Sequence, residues 1–166
     1  MLQYLCFFTT KNMVRMGFGG FAYVNTKEAP TPGAYSQAVI PNTRVSQPMF
    51  IAGQTGNDPS KPQEPVVDGG VGPQTTQALR NIAAILHEVG ADCISLVSLT
   101  VYIKDSGTKE SRQKDWEEYN EAYKRFFKAR GIETNLPARA QVWVADVPWA
   151  TENTLVEIVA IAYVNI

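Results

Sequence analysis

The sequence contains very little histidine and cysteine, with one His and two Cys in 166 residues. Cys6 and Cys93 lie far apart and form no CxxC or zinc-type spacing. Their number argues against a disulfide framework and fits a reducing compartment. His87 is the only histidine, which argues against His-rich metal sites and most His-based catalytic units. Its place beside Leu86 and Glu88 in a helical pattern predicts a surface position.

The sequence also lacks a large excess of either charge. Its net charge is −1, with 19% charged and 45% hydrophobic residues, which is typical of one soluble globular domain. Residues 1–27 contain three bases and no acid, so residues 28–166 carry 12 bases and 16 acids. An acidic body argues against constitutive nucleic-acid binding.

Long apolar runs are missing as well. No run approaches the roughly 18–20 residues of a transmembrane helix, so we expect no membrane span. Residues 1–25 are basic and acid-free, and their charges follow the apolar run, which is the reverse of a secretory signal. Two interpretations stay open: a mitochondrial transit segment, or an extension whose true start is Met13 or Met16. We predict an extension over 1–25, a folded domain over 26–166, and a cytoplasmic or mitochondrial location.

The periodicity of the remaining chain predicts two helices and five strands. Helical spacing over 74–89 places Ala78, Ile82, Ile85 and Val89 on one stripe, and a second helix is expected over 115–130. Strands are expected over 35–40, 49–53, 94–103, 138–144 and 154–164. This order predicts an α+β fold with two helices over one face of a mixed sheet.

Two charges interrupt the last two strands. Arg139 alternates with the small apolar row Ala138, Ala140, Val142 and Val144, and Glu157 lies between Val156 and Ile158. Charges in apolar strands are costly unless they are paired or bind a ligand. An interfacial salt bridge between the two side chains and a ligand site therefore both stay open.

Alternation predicts that Arg139 and Glu157 share the sheet face turned away from the helices. That face would also carry Trp143, Ile161 and Tyr163, and it is too apolar for open water. Within 94–103 the same reasoning places Val97 and Leu99 on the helix side and Leu96 on the other side. We expect the open face to be buried against another copy of the chain.

Six segments in register resemble the RidA/YjgF family, also called the L-PSP endoribonuclease family. They are 32–38 (PGAYSQA), 51–54 (IAGQ), 74–82 (QTTQALRNI), 120–127 (NEAYKRFF), 137–139 (PAR) and 156–162 (VEIVAIA). The resemblance implies a chorismate-mutase-like α+β fold and a homotrimer with a central barrel and clefts between subunits. It also implies hydrolysis of 2-iminobutanoate and 2-iminopropanoate to 2-keto acids and ammonia, without a cofactor or a metal.

The resemblance implies catalytic roles for Arg139, Glu157 and Tyr35. The planar fork of Arg139 fits the substrate carboxylate in a way that lysine would not reproduce. Glu157 is suited to orient or deprotonate the attacking water. Tyr35 corresponds to a family tyrosine that closes over the ligand.

The resemblance also implies a substrate-binding group: Gly53, which lets backbone approach the ligand, Asn120 near the cleft, and Gln141. The chain departs from the usual family residues at two positions of this region. It has Ala52 where serine is usual and Gln141 where cysteine is frequent. The larger Gln141 puts the small imine substrate in doubt. The spacing from Arg139 to Glu157 is three residues longer than usual, which we interpret as a longer hairpin tip.

Two other functions remain as alternatives. One is translation inhibition through cleavage of single-stranded RNA, which the acidic body makes less favourable. The other is a non-enzymatic trimer that binds small carboxylates or partner proteins. The retention of Arg139 together with Glu157 favours catalysis, and Gln141 keeps the binding alternative open.

Overall fold

The structure is a computed structural model and describes residues 12–16, 22–26, 36, 38–40, 46–61, 66–147 and 153–165. Seven strands and two α-helices are found in these residues. They are β1 (Asn12–Met16), β2 (Ala22–Thr26), β3 (Ala38–Ile40), β4 (Gln47–Thr55), α1 (Val71–Glu88), β5 (Leu96–Lys104), α2 (Lys109–Lys128), β6 (Ala138–Val144) and β7 (Val156–Val164).

The larger sheet has the strand order β4-β7-β5-β6. Strand β7 runs antiparallel to both of its neighbours, whereas β6 runs parallel to β5. A parallel pair needs a crossover connection, and α2 supplies it. Because β5 lies between β6 and β7, the expectation of a hairpin between the last two strands is wrong.

Both helices pack on one face of this sheet, which confirms the predicted α+β fold. In α1, Ala78 and Ile82 are fully buried as predicted, but Val89 is 39% exposed because the helix ends at Glu88. The largest fully buried side chains of the core come from α1, α2 and the two strands β5 and β7. They are Leu79, Ile82 and Leu86, then Tyr119, Tyr123 and Phe127, and finally Leu96, Leu99, Ile103 and Ile158.

Helix α2 begins six residues earlier than the predicted start at 115. A capping box starts it: the Ser111 N–H donates to Oγ1 of Thr108, and the Thr108 N–H donates to Oγ of Ser111, both at 3.1 Å. These bonds satisfy backbone donors that the first helical turn leaves without partners. Lys109, Glu110 and Lys114, which precede the predicted helix, are exposed in the first turns of α2.

An irregularity at the start of β5 changes the predicted faces. The pairing of β5 with β7 shifts between Leu96 and Ser98. Leu96 therefore joins the helix-side core, and Val97 lies in a second cluster with Tyr23. The predicted sides of Leu96 and Val97 were wrong, because an extra residue in one strand moves the following side chains to the other face.

Strands β1, β2 and β3 form a separate antiparallel sheet. Tyr23 of β2 is 2% exposed, and it packs with Val97, Val39, Ile161 and Tyr163. The chain itself thus covers one end of the sheet face that α1 and α2 leave open. In the middle of β4, Phe50 remains 76% exposed. Neither described helix is long and apolar enough to cross a membrane.

Candidate functional site

Arg139 lies on the helix side of the sheet. Parallel pairing places Arg139 of β6 opposite Leu99 of β5, and Leu99 belongs to the core beneath the helices. Paired residues point to the same face of a sheet. The guanidinium accordingly contacts α2, with its central carbon 4.4 Å from the ring centre of Tyr123 and 5.1 Å from that of Tyr119.

Glu157 lies on the opposite face. Its chain neighbours Val156 and Ile158 are fully buried in the helix-side core, whereas Glu157 itself is half-buried. Glu157 pairs with Tyr102 of β5, three residues beyond the Leu99 that pairs with Arg139. The two charged residues are therefore about 10 Å apart along the strands and about 9.6 Å apart across them. One chain does not bring them together.

The prediction that Arg139 lies on the open face was thus wrong, whereas the prediction that Glu157 lies on that face was right. The apolar row of β6 suggested a helix-facing surface, but this strand is the edge of the sheet. Its alanine and valine row is turned away from the helices, with Ala140 exposed and Val142 44% exposed. The other row of β6, which contains Arg139, packs under α2 because the faces of the aromatic rings there attract the cation.

Asn120 fixes the position of Arg139. A guanidinium Nη2 of Arg139 donates to Oδ1 of Asn120 at 2.9 Å, and Nδ2 of Asn120 donates to the Trp116 carbonyl at 2.7 Å. Asn120 is only 9% exposed. The amide therefore ties Arg139 to a rigid turn of α2, and in this structure it orients the arginine.

The two tyrosines beside Arg139 keep their protons at neutral pH. Burial raises the pKa of Tyr119 to about 12, although the nearby Arg139 cation opposes that rise. Burial, with Tyr119 as a second cause, also raises the pKa of Tyr123. Both rings consequently contact the Arg139 guanidinium as neutral groups. Neither tyrosine had a predicted role in the site, although their spacing of four residues around Asn120 was an available signal.

A cleft of about 330 Å³ opens beside Arg139. Trp116 of α2 and Trp143 of β6 are 45% and 38% exposed, although both are large aromatic residues. The side-chain nitrogen of Gln141 is buried and has no hydrogen-bond partner among the described residues. The cleft is lined by Ile103, Trp116, Arg139, Gln141, Val142 and Trp143.

Gly53 and Glu157 form a second group on the open face. The pairing of β4 with β7 shifts between Ile51 and Gln54, so Ala52 and Gly53 lie in a bulge. A Cβ at Gly53 would lie 2.6 Å from Cδ of Glu157 and closer still to its Oε1. Nε2 of Gln54 donates to the carbonyls of Ala52 and Gly53, both at 3.1 Å, and holds the bulge. Here Gly53 makes room for a carboxylate of the protein.

Tyr35 lies outside the described residues. Its neighbour Ser36 is buried, and its hydroxyl donates to the carbonyl of Leu136 at 2.8 Å. Leu136 precedes Arg139 by three residues, so this bond holds Ser36 near the start of β6. The sequence reading assigned no function to Ser36.

Other parts of the described chain offer fewer chemical groups. A cavity of about 430 Å³ lies at the start of α1 and includes Asp68, Gly70 and Gln74, but none of the predicted site residues. Gln74 there bridges the chain before β7: it donates to the Asn153 carbonyl and accepts from the Leu155 N–H. The described residues contain no group of three or more His, Cys, Asp or Glu suited to a metal ion.

Comparison with known proteins gives consistent results. A family model described as Endoribonuclease L-PSP matches residues 26–164. A rat protein named 2-iminobutanoate/2-iminopropanoate deaminase is 39% identical over 140 residues, which are 84% of this chain and 87% of the rat protein. The YjgF product of E. coli has a TM-score of 0.57 at 30% identity, covering 81% of this chain and 89% of its own. E. coli TdcF with bound serine also has a TM-score of 0.57, at 29% identity, covering 84% and 96%.

Proposed function

The chain belongs to the RidA/YjgF family, and on that premise we propose that it hydrolyses 2-imino acids to 2-keto acids and ammonia. In this reaction R–C(=NH)–COO⁻ and water give R–C(=O)–COO⁻ and NH₃. The relatives named 2-iminobutanoate/2-iminopropanoate deaminase support the activity. The observation that carries the proposal is a rigidly held arginine beside an open cleft.

Arg139 binds the substrate carboxylate in this proposal. Its guanidinium is held by Asn120 and by the rings of Tyr119 and Tyr123, so little side-chain freedom is lost when a ligand binds. A carboxylate accepts two parallel N–H bonds from such a fork. The imine carbon is then held in a fixed position in the cleft.

Glu157 orients and deprotonates the attacking water in this proposal. A protonated imine carbon is electrophilic enough to react with a water molecule that a carboxylate orients and deprotonates. The carboxylate then returns this proton to the nitrogen of the carbinolamine. As it removes the remaining hydroxyl proton, the carbonyl forms and the C–N bond breaks, so that ammonia leaves, and Glu157 finally releases the proton to solvent. The reaction uses no covalent enzyme intermediate.

The opposite positions of Arg139 and Glu157 require a second copy of the chain. A small imino acid cannot bridge two faces of one sheet, so Glu157 acts on a substrate that a neighbouring copy holds through Arg139. Contacts between two different surfaces close into a ring when the rotation permits it. The homotrimer with clefts between subunits, expected from the family, meets this requirement.

The first test couples the protein to a threonine dehydratase, with semicarbazide to trap 2-iminobutanoate. We expect wild type to speed keto-acid formation and lower the amount of trapped imine. Truncating one partner of a buried charged contact typically costs about 2–5 kcal/mol, so Arg139→Ala should lose about 10²-fold or more in kcat/KM. Arg125→Ala, at an exposed position of α2, is the matched control and should behave as wild type. Equal rates with and without the wild-type protein would refute the proposal.

Carboxylate binding without hydrolysis is the second candidate function. The arginine cradle is complete within one chain, whereas the carboxylate of Glu157 is not beside it. Calorimetric titration with a 2-keto acid separates the two functions when the kinetic test is negative. Binding that Arg139→Ala abolishes, in a protein without imine hydrolysis, would support the binding function.

RNA cleavage receives less support from the described residues. Arg139 is the only base among the described residues that line the cleft. His87 is exposed in the last turn of α1, as the sequence predicted, and does not line the cleft. The described residues of one chain therefore give this cleft no second acid–base group for RNA cleavage.

A further inference from the structure

Gln141 lies beside Arg139 in the same cleft. The two residues are separated by one position on β6 and lie on the same face of the strand. Their α-carbons are therefore about 6.6 Å apart. A ligand whose carboxylate is bound by Arg139 and whose side chain follows β6 extends toward the amide of Gln141.

The amide nitrogen of Gln141 lacks an internal partner. It is buried without a hydrogen bond among the described residues, and the apolar Ile103 lines the same cleft. A buried donor without a partner has lost its hydrogen bonds to water and destabilises the protein. The terminal bond of a glutamine side chain rotates broadly, so a ligand that brings an acceptor can turn the amide toward itself and remove this destabilisation.

We propose that Gln141 selects 2-imino acids whose side chains carry a hydrogen-bond acceptor, such as an amide carbonyl or a hydroxyl, over alkyl imino acids of the same size. This inference rests on the proposed imine hydrolysis. An alkyl side chain leaves the amide unmatched, whereas a polar side chain of similar shape gives it a partner. Sites built around a buried polar group discriminate strongly against ligands that lack the matching group.

The test compares imines made in place by an L-amino-acid oxidase from asparagine and from leucine, whose side chains have nearly the same shape. Their rates of withdrawal from a semicarbazide trap give the two kcat/KM values. We expect wild type to favour the asparagine-derived imine by about tenfold. Gln141→Met, which keeps the length and removes the donor, should bring the ratio to one or reverse it. Gln113→Met, at an exposed position of α2, is the matched control and should keep the wild-type ratio.

The outcomes separate the selectivity from the proposed function. If wild type hydrolyses both imines with a ratio near one, or Gln141→Met keeps the preference, the role of Gln141 is refuted and imine hydrolysis stands. If wild type hydrolyses neither imine, both proposals fail. Should Gln141→Met not fold, Gln141→Glu has the same shape, replaces the donor by an acceptor and should also lose the preference.

Discussion

At the scale of single residues, Gly53 and Glu157 occupy one small space on the open face. A side-chain carbon at Gly53 would overlap the Glu157 carboxylate, yet the obstructed atoms belong to the end of a flexible side chain. The fold can therefore accept alanine while the carboxylate moves. Gly53 thus affects the reaction through the position of Glu157, whereas the sequence reading connected it with the ligand.

Gly53→Ala should accordingly reduce activity and leave stability nearly unchanged. Displacing a catalytic group by about 1 Å can cost about 10²-fold in rate, so we expect a loss of that order in kcat. The free energy of unfolding should change by less than about 1 kcal/mol. Steady-state kinetics and thermal unfolding measure the two effects.

Gly72→Ala is the matched control, because the added carbon would meet only ordinary contacts of 3.6 Å or more with Glu118. Its kcat should equal that of wild type. A Gly53→Ala protein that is fully active would show that the Glu157 carboxylate does not act from its present position. A Gly53→Ala protein that unfolds readily would show that the bulge, and not the carboxylate, needs glycine.

At the scale of elements, alternation predicted the faces of β7 correctly and those of β6 incorrectly. Strand β7 has a partner on each side, and its odd and even rows differ clearly in burial. Strand β6 is an edge strand, and its row of side chains that contains Arg139 packs under aromatic rings. Hydropathy alone predicts that this row faces outward. Its face depends on a contact with α2 that lies far away in the sequence.

The two irregular strands show a related limit of sequence reasoning. The shift at Leu96 reversed one pair of predicted faces, and the shift beyond Ile51 placed Gly53 in a bulge. Neither segment has a local signal that fixes the register, because pairing with β7 determines it. Helix and strand types could be predicted from periodicity, whereas the side of the sheet on which Arg139 acts required the structure.

The capping box of α2 gives a prediction about stability at this scale. Thr108→Ala removes the side-chain acceptor for the Ser111 N–H and should lower the free energy of unfolding by about 1 kcal/mol. Tyr119, Asn120 and Tyr123 lie about three turns further along the helix, so the kcat for imine hydrolysis should not change. Chemical denaturation and kinetics measure both, and Thr134→Ala, at an exposed loop position, should change neither. If Thr108→Ala lowered kcat as well as the free energy of unfolding, this separation would be contradicted.

At the scale of the whole molecule, the sheet has a distinct chemical group on each face. The helix side contributes the Arg139 cradle and the cleft, and the open side contributes the Glu157 carboxylate. Strand β6 is at the sheet edge, so its cleft is accessible to a neighbouring copy. The open face retains the exposed Phe50, although the chain's own first strands cover its other end. An assembly that joins this face to the β6 edge of the next copy would complete each site.

Mixed assemblies test this arrangement directly. Arg139→Ala and Glu157→Gln should each be nearly inactive alone. If each site takes its arginine from one copy and its glutamate from the next, equal mixing during refolding should restore about one quarter of the wild-type sites. Each variant refolded alone is the control and should recover nothing. A mixture that stays inactive although it assembles, or a wild-type protein that sediments as an active monomer, would show that Arg139 and Glu157 do not act together across copies.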